Sequence, residues 1–218
     1  MIKFNWVIFF FITILSACGQ APSNNSKQKD NDKDIVMGGA CDRCDLMYEG
    51  MPSPGSIQAE AILATEKEPG ERMEINGKLL MKDGKEPAKN IILYMYHTDA
   101  SGRYTAADTQ TAAKPHGRLR GWVKTNEKGE FKFFSIRPTP YPGGKIPAHL
   151  HMLVKEPGKT RYYIDEVWFD DDPFVTKELR DKSEKRGGDL IIHLTKDNRN
   201  VWVGQLVITA GLNIPGYK

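Results

Sequence analysis

From about residue 58 onward, short runs rich in β-branched and aromatic residues alternate with polar turns. Asp83-Gly84, Ser101-Gly102 and Pro157-Gly158 are turn signals in which glycine supplies a positive φ. The pattern predicts eight strands, over residues 72–81, 90–98, 118–125, 130–136, 148–154, 161–169, 189–194 and 201–209. Helical periodicity is confined to a turn or two around 176–185. Eight strands without intervening helices predict an all-β fold, an antiparallel β-sandwich.

The start of the chain has a different pattern. Lys3 precedes an apolar run from Trp6 to Leu15, which is too short to span a bilayer but has the length of a signal-peptide core. The run ends in Leu15-Ser16-Ala17-Cys18-Gly19, which resembles a bacterial lipobox, so we expect cleavage before Cys18 and lipidation of its thiol. An ordinary secretory signal with a chance cysteine is the alternative.

These patterns divide the chain into four segments. Residues 1–17 are predicted to be a lipoprotein signal peptide, and 18–36 a lipidated flexible tether that contains almost nothing to bury. Residues 37–69 form a cysteine-containing N-terminal extension, and 70–218 form the sandwich. We expect a lipid-anchored protein of the bacterial cell envelope, held at the outer membrane because no aspartate follows Cys18.

Charge limits the set of partners. The 218 residues include 31 basic and 28 acidic side chains, giving a net charge of +3, and the two signs are scattered through the chain. Phosphate binding requires a clustered basic stripe, so nucleic acid is not an expected partner.

Cys41 and Cys44 are the two cysteines that remain after Cys18. A haem c attachment needs histidine directly after the second cysteine, but Asp45 stands there, and a structural zinc site needs two further ligands. In an oxidising exported compartment the pair is interpreted as a local disulfide, and a working redox pair is the alternative.

Candidate chemistry concentrates around His149 and His151, which lie two residues apart in a predicted strand. Both rings then leave one face of the strand and can chelate one ion. A surface strand with chance histidines is the alternative. A proline-rich loop at 137–144 presents Tyr141 just upstream, and Tyr104 follows an earlier strand.

Four ordered blocks of the sequence resemble the intradiol ring-cleavage dioxygenase family, in particular its protocatechuate 3,4-dioxygenase-like catalytic domain. The blocks are residues 94–104, 119–133, 136–142 and 147–151. The resemblance implies a non-haem Fe(III) held by two tyrosines and two histidines. By motif position these ligands are Tyr104, Tyr141, His149 and His151. Fe(III) is a hard cation that prefers anionic oxygen, so two tyrosinates with two neutral imidazoles suit it chemically.

The resemblance also implies a reaction. A catechol-like aromatic would bind the iron, Tyr141 would leave the metal and accept a substrate proton, and O₂ would cleave the ring between the two hydroxylated carbons to give a muconate-type diacid. The alternative function is a non-catalytic aromatic-ligand or metal-binding β-sandwich lipoprotein.

One position departs from the family pattern. Ile146 stands where many members have an arginine that stabilises negative charge on the ring, which places turnover in question. Lys145 is adjacent, but we expect neighbouring strand residues to point to opposite faces. The remaining candidates are interpreted as structural: three histidines as core or surface residues, and an aspartate run as a solvated turn before a proline. These residues are His97, His116 and His193, and Asp170 to Asp172.

Overall fold

The computed structural model describes Met1 and residues 37–41, 43–107 and 114–218. The strands are β1 Glu60–Ile62, β2 Arg72–Leu80, β3 Ile92–Tyr96, β4 Arg120–Lys124, β5 Glu130–Ile136, β6 His149–Lys155, β7 Tyr162–Tyr163, β8 Val167–Phe169, β9 Ile191–Ile192, β10 Leu194–Lys196 and β11 Trp202–Thr209. The helices are α1 Lys177–Lys182 and two 3-10 helices, Cys44–Tyr48 and Lys114–His116. Apart from Met1, the predicted signal peptide, the tether and the lipidated Cys18 lie outside the described residues. Across the described ranges, no helix is long and apolar enough to be a membrane span.

Two sheets form the predicted β-sandwich, which the structure confirms. The first sheet has the strand order β1-β5-β2-β11-β10, and the second has the order β4-β3-β6-β8-β9, with β7 beside β6. Ile75 and Phe133 of the first sheet and Leu150 of the second are fully buried in one hydrophobic cluster. The period-2 alternation therefore directs one face of each sheet into a shared core.

The sheets are mixed, although the prediction was an antiparallel sandwich. β1 pairs with β5, β2 with β11 and β8 with β9 in the parallel sense, and the other pairs are antiparallel. Parallel neighbours need long connections between them, and here they are far apart in sequence or separated by α1. Alternation within a strand carries no information about such distant pairing.

The extension at 37–69 packs closely on the sandwich. Its strand β1 pairs with residues 132–134 of β5, and its 3-10 helix Cys44–Tyr48 covers the outer face of the second sheet. Trp122 Nε1 donates to the Met47 carbonyl at 2.7 Å, and Arg120 Nη2 donates to the Glu49 carbonyl at 2.8 Å. These bonds hold the extension against β4.

Strand β6 separates the two environments of the second sheet. Leu150 and Met152 point into the core between the sheets, whereas Leu153 joins the cluster beneath the 3-10 helix. His149 and His151 alternate with the core residues, so they lie on the outer face. The face that carries the candidate chemistry is thus the one away from the main core.

Candidate metal centre

The two histidines of β6 bring two ring nitrogens together, as the spacing predicts. The Nε2 atoms of His149 and His151 lie 3.1 Å apart. His149 Nδ1 lies 2.7 Å from the Pro147 carbonyl, which can only accept, so Nδ1 carries the proton and Nε2 presents its lone pair. A backbone carbonyl that fixes the tautomer in this way is typical of a metal-ligating histidine.

Two loops bring phenol groups to the same point. The Oη atoms of Tyr104 and Tyr141 lie 2.8 Å apart, and Tyr141 Oη lies 3.2 Å from His149 Nε2. Tyr104 is in the loop after β3, and Tyr141 is in the proline-rich loop before β6. The structure therefore brings all four predicted side chains to one cluster, which we call the four-donor cluster.

The loops that carry the two tyrosines are locked together. Thr98 Oγ1 donates to the Thr139 carbonyl at 2.7 Å, joining the base of one loop to the other. Gly102 has a φ of +73°, and a Cβ at this position would collide with the carbonyl oxygen of Pro140. Only glycine allows both this conformation and this close approach.

A buried carboxylate shapes the turn before Tyr104. Asp99 Oδ1 accepts hydrogen bonds from the amides of Ser101 and Arg103 at 2.9 and 3.2 Å. Burial opposes ionisation of Asp99, but hydrogen bonds led by those of Ser101 and Thr105 lower its pKa to about 2. The turn is thus organised around a charged acceptor.

Another aspartate fixes the start of β6 and corrects an expectation. Asp172 was predicted to lie in a solvated turn, but it is buried and accepts from the amides of Ala148 at 2.8 Å and Phe174 at 2.9 Å. The Ala148 amide directly precedes His149. Asp172 therefore anchors the backbone that orients the first histidine, a role that the local sequence does not mark.

Burial sets the protonation of the four-donor cluster. It lowers the pKa of His151 to about 3, with a further contribution from His149, so the imidazole is neutral near pH 7. Burial also raises the pKa of Tyr104, and the hydrogen bond with Tyr141 adds to this effect. The phenol therefore stays protonated unless a cation stands beside it.

The donor set fits a ferric ion. Neighbouring donor atoms are separated by 2.8 to 3.2 Å, and donors bound to one ion at about 2 Å lie roughly 3 Å apart. Two phenols and two neutral imidazoles supply the hard oxygen and nitrogen ligands that Fe(III) prefers. Among residues 37–218, as far as they are described, no group of three or more His, Cys, Asp or Glu side chains forms an alternative metal site.

The three remaining histidines do not contribute donors to this cluster. His97 is buried between the Thr98 carbonyl and Ser135 Oγ, both 2.7 Å away, and His193 pairs with Asp170 at 2.9 Å on the surface. His116 lies nearer: it stacks at 3.8 Å on Tyr96, which stacks at 4.6 Å on His151. The ring of His151 is therefore supported by an aromatic stack of Tyr96 and His116.

An open cleft of about 630 Å³ adjoins the cluster. Tyr141, His149 and His151 line one side, and its apolar wall is formed by Ile146, Pro147, Trp168, Phe174 and Leu179. Lys145 also lines this cleft, contrary to expectation, because residues 144–148 precede β6 and do not follow strand alternation. The cleft has the size and apolar character of a small-molecule site.

A smaller cavity of about 260 Å³ lies on the other side of His151. It is lined in part by Cys41 and Cys44, which are joined in a disulfide with Cα atoms 5.7 Å apart. Glu166 lines both this cavity and the cleft. No sequence motif marked Glu166, because its place depends on how β8 pairs with β6.

Comparisons with known proteins show which family this chain resembles. Residues 51–206 match the family model Dioxygenase_C, described as "Dioxygenase". A catechol 1,2-dioxygenase of Acinetobacter lwoffii is 27% identical, with 50% of this chain and 43% of the relative aligned. The protocatechuate 3,4-dioxygenase beta chain of Burkholderia cepacia is also 27% identical, over 49% of this chain and 48% of the relative. The chain thus spans less than half the length of these relatives.

Solved structures share the fold. The dioxygenase domain of a dioxygenase carbohydrate-binding fusion from Streptomyces sp. SirexAA-E superposes with a TM-score of 0.54 at 20% identity, covering 74% of this chain and 93% of that one. The 3-chlorocatechol 1,2-dioxygenase of Rhodococcus opacus 1CP gives a TM-score of 0.53 at 21% identity, covering 68% and 63%. Since the family model matches most of this sequence, the chain belongs to the intradiol dioxygenase family.

Proposed function

We propose that this protein is a ferric non-haem dioxygenase that cleaves a catechol-type ring between its two hydroxylated carbons, using O₂, to give a muconate-type diacid. The observation that carries the proposal is the four-donor cluster of Tyr104, Tyr141, His149 and His151 beside an open apolar cleft. When bound there, Fe(III) would withdraw electron density from a chelated catecholate and so make the ring reactive toward O₂.

Three of the four side chains are suited to hold the metal permanently. His149 has its free Nε2 fixed by the bond from Nδ1 to Pro147, and His151 is backed by Tyr96. Tyr104 does not line the cleft, so an incoming substrate does not contact it first. These residues are therefore assigned as ligands that stay in place during the reaction.

Tyr141 is suited to a second role. It is the tyrosine of the pair that lines the cleft, and its Oη lies at the junction between Tyr104 and His149. A catechol entering the cleft meets this phenol, so Tyr141 can yield its position to a substrate oxygen and accept that hydroxyl's proton at Oη. Pro147 and Trp168 flank the same space, where they exclude water from the ring.

Oxygen consumption and product analysis test this proposal. The iron-loaded protein, given catechol under ¹⁸O₂, is expected to consume one O₂ per ring and to yield a diacid that carries both labelled atoms. Tyr141→Phe is expected to retain iron but lose at least about 100-fold in turnover, because general acid–base catalysis contributes that much. An iron-bound protein that binds catechol without consuming oxygen would instead support the non-catalytic binding module.

We further infer from the lipobox-like motif that Cys18 carries a lipid anchor to the cell envelope, at the outer membrane. In a bacterial host, radiolabelled palmitate is expected to enter the wild-type chain and not Cys18→Ala. Fractionation of the wild type with the outer membrane would support the anchor. Recovery of an unlabelled wild type in the soluble fraction would contradict it.

A further inference from the structure

Glu166 faces the four-donor cluster from the residue before β8. The antiparallel register pairs His149 with Trp168 and Leu150 with Val167, so Glu166 stands opposite His151. Its Oε1 lies 4.0 Å from His151 Nδ1. The same side chain lines the cleft in which a catechol ring would lie. A carboxylate therefore lines the cleft that is proposed to hold the ring.

The Glu166 carboxylate has no basic partner in the part of the chain that the structure describes. Among the described residues, no lysine or arginine forms an ion pair with Glu166, whose side chain is 45% exposed and open to a ligand. Lys182 lines the cleft but pairs with Glu178 at 2.6 Å. Arg180 lines a small neighbouring cavity with Glu166 without forming an ion pair.

Of the described residues that line the cleft, Lys145 is the remaining positive group. It lies on the loop before β6 and is exposed, so water and salt screen its charge strongly. Glu166 is partly exposed as well, but its carboxylate lies 4.0 Å from the ring of a ligand histidine, beside the place where a chelated ring must lie. A catecholate dianion and one tyrosinate would neutralise a bound Fe(III), so the charge that remains beside the four-donor cluster is that of the Glu166 carboxylate.

We propose that Glu166 selects catechols by the charge of the ring substituent: it disfavours anionic substituents and favours cationic ones. This inference rests on the proposed function. An acidic substituent near Glu166 meets like charge, whereas an ammonium group gains a partner there. Ile146 adds no charge of its own to this cleft, and its apolar side chain suits the substituent's carbon chain.

Three catechols with similar ring substituents test the proposal: 3,4-dihydroxyphenylacetate is anionic, 4-ethylcatechol neutral and dopamine cationic. Anaerobic titration of the iron-loaded protein, followed by its visible absorption, gives a Kd for each without turnover. We expect dopamine to bind on the order of tenfold more tightly than 3,4-dihydroxyphenylacetate, with 4-ethylcatechol between them.

Variants assign the effect to one group. Glu166→Gln is expected to reduce the difference to within about threefold, while Glu166→Asp and the control Lys145→Met keep dopamine favoured. Wild-type binding of 3,4-dihydroxyphenylacetate as tight as that of dopamine would overturn the proposal, as would an unchanged difference in Glu166→Gln. If 4-ethylcatechol neither changes the absorption nor supports O₂ uptake, the proposed function fails too; if it does both, only the role of Glu166 is at stake.

Discussion

The two halves of the four-donor cluster are built in different ways. His149 and His151 belong to β6, whose neighbours β3 and β8 hold it on both edges. Tyr104 and Tyr141 belong to loops, and they meet because the two loops contact each other directly. Strand geometry alone places the imidazoles on one face, whereas the phenols depend on a few specific backbone contacts.

This difference indicates which substitutions should weaken the metal centre. A substitution on β6 that keeps the strand intact removes one donor and leaves the other in place. A substitution at a loop contact moves a phenol without touching any donor. Residues that bind no metal can therefore still weaken the metal centre, and the larger of these effects should come from the tyrosine half.

The largest effect is expected from removing one of the three donors that stay on the metal throughout the reaction, on either half of the cluster. Tyr104→Phe and His149→Ala should each weaken iron binding by more than about 100-fold. Loss of a residue that only hydrogen-bonds a ligand weakens metal binding by about 10- to 100-fold, and loss of the ligand itself should weaken it more. Metal analysis after dialysis measures this effect. His193→Ala, which alters an exposed residue paired with Asp170, serves as the control and should keep its iron. Full iron content in Tyr104→Phe would contradict the ligand assignment.

A smaller effect is expected where the two loops touch. Gly102→Ala places a Cβ against the Pro140 carbonyl at a φ of +73°, and should lower the free energy of unfolding by about 3 kcal/mol and weaken iron binding. Gly143 has the same φ but nothing within 4 Å of its Cβ. Gly143→Ala is thus a matched control that should cost about 1 kcal/mol. If urea unfolding shows that the two variants lose the same free energy of unfolding, the contact between the two loops does not contribute to stability.

On the histidine half of the cluster, a substitution of Asp172 should have a measurable effect. Asp172→Asn keeps one acceptor for two amides, so the free energy of unfolding should fall by about 1–2 kcal/mol and His149 should be held less firmly. Asp171→Asn is the neighbouring control: Asp171 pairs with Arg137 at the surface, and the change should cost less than about 1 kcal/mol. If the two variants unfold at the same urea concentration, Asp172 does not anchor β6.

The smallest effect is a pH dependence at the base of the Tyr104 loop. Burial lowers the pKa of His97 to about 4, whereas in the unfolded chain it is near 6.5. Between these values the unfolded state binds a proton that the folded state does not, so stability falls as the pH is lowered and levels off below about pH 4.

His97→Gln should reduce this pH dependence. Its unfolding free energy should change less than that of the wild type between about pH 6 and pH 5, by at most roughly 1.4 kcal/mol. His193→Gln, at an exposed position, should follow the wild type. A steeper slope in His97→Gln than in the wild type would contradict the sign of this linkage.

Much of the fold was readable from the sequence because strand alternation and turn residues are local signals. The run at 130–136 coincides with β5, and the predicted helical turn contains α1. β1 was missed because three residues show no periodicity, and the parallel pairings were missed because they join distant segments.

The four donors of the site could be predicted from the sequence, but the residues around them could not. Spacing placed His149 and His151 on one face, and the resemblance selected Tyr104 and Tyr141, which the structure brings to them. Glu166 could not be predicted, because its position depends on strand register. The expectation for Lys145 was wrong because it assumed strand geometry in a loop.

Iron content and colour of the purified protein test the central claim most directly. After loading with ferrous iron and oxidation in air, the chain is expected to hold about one iron and to show a red-brown tyrosinate-to-Fe(III) absorption that is lost in Tyr104→Phe. A colourless protein that retains no iron after this treatment would contradict the account.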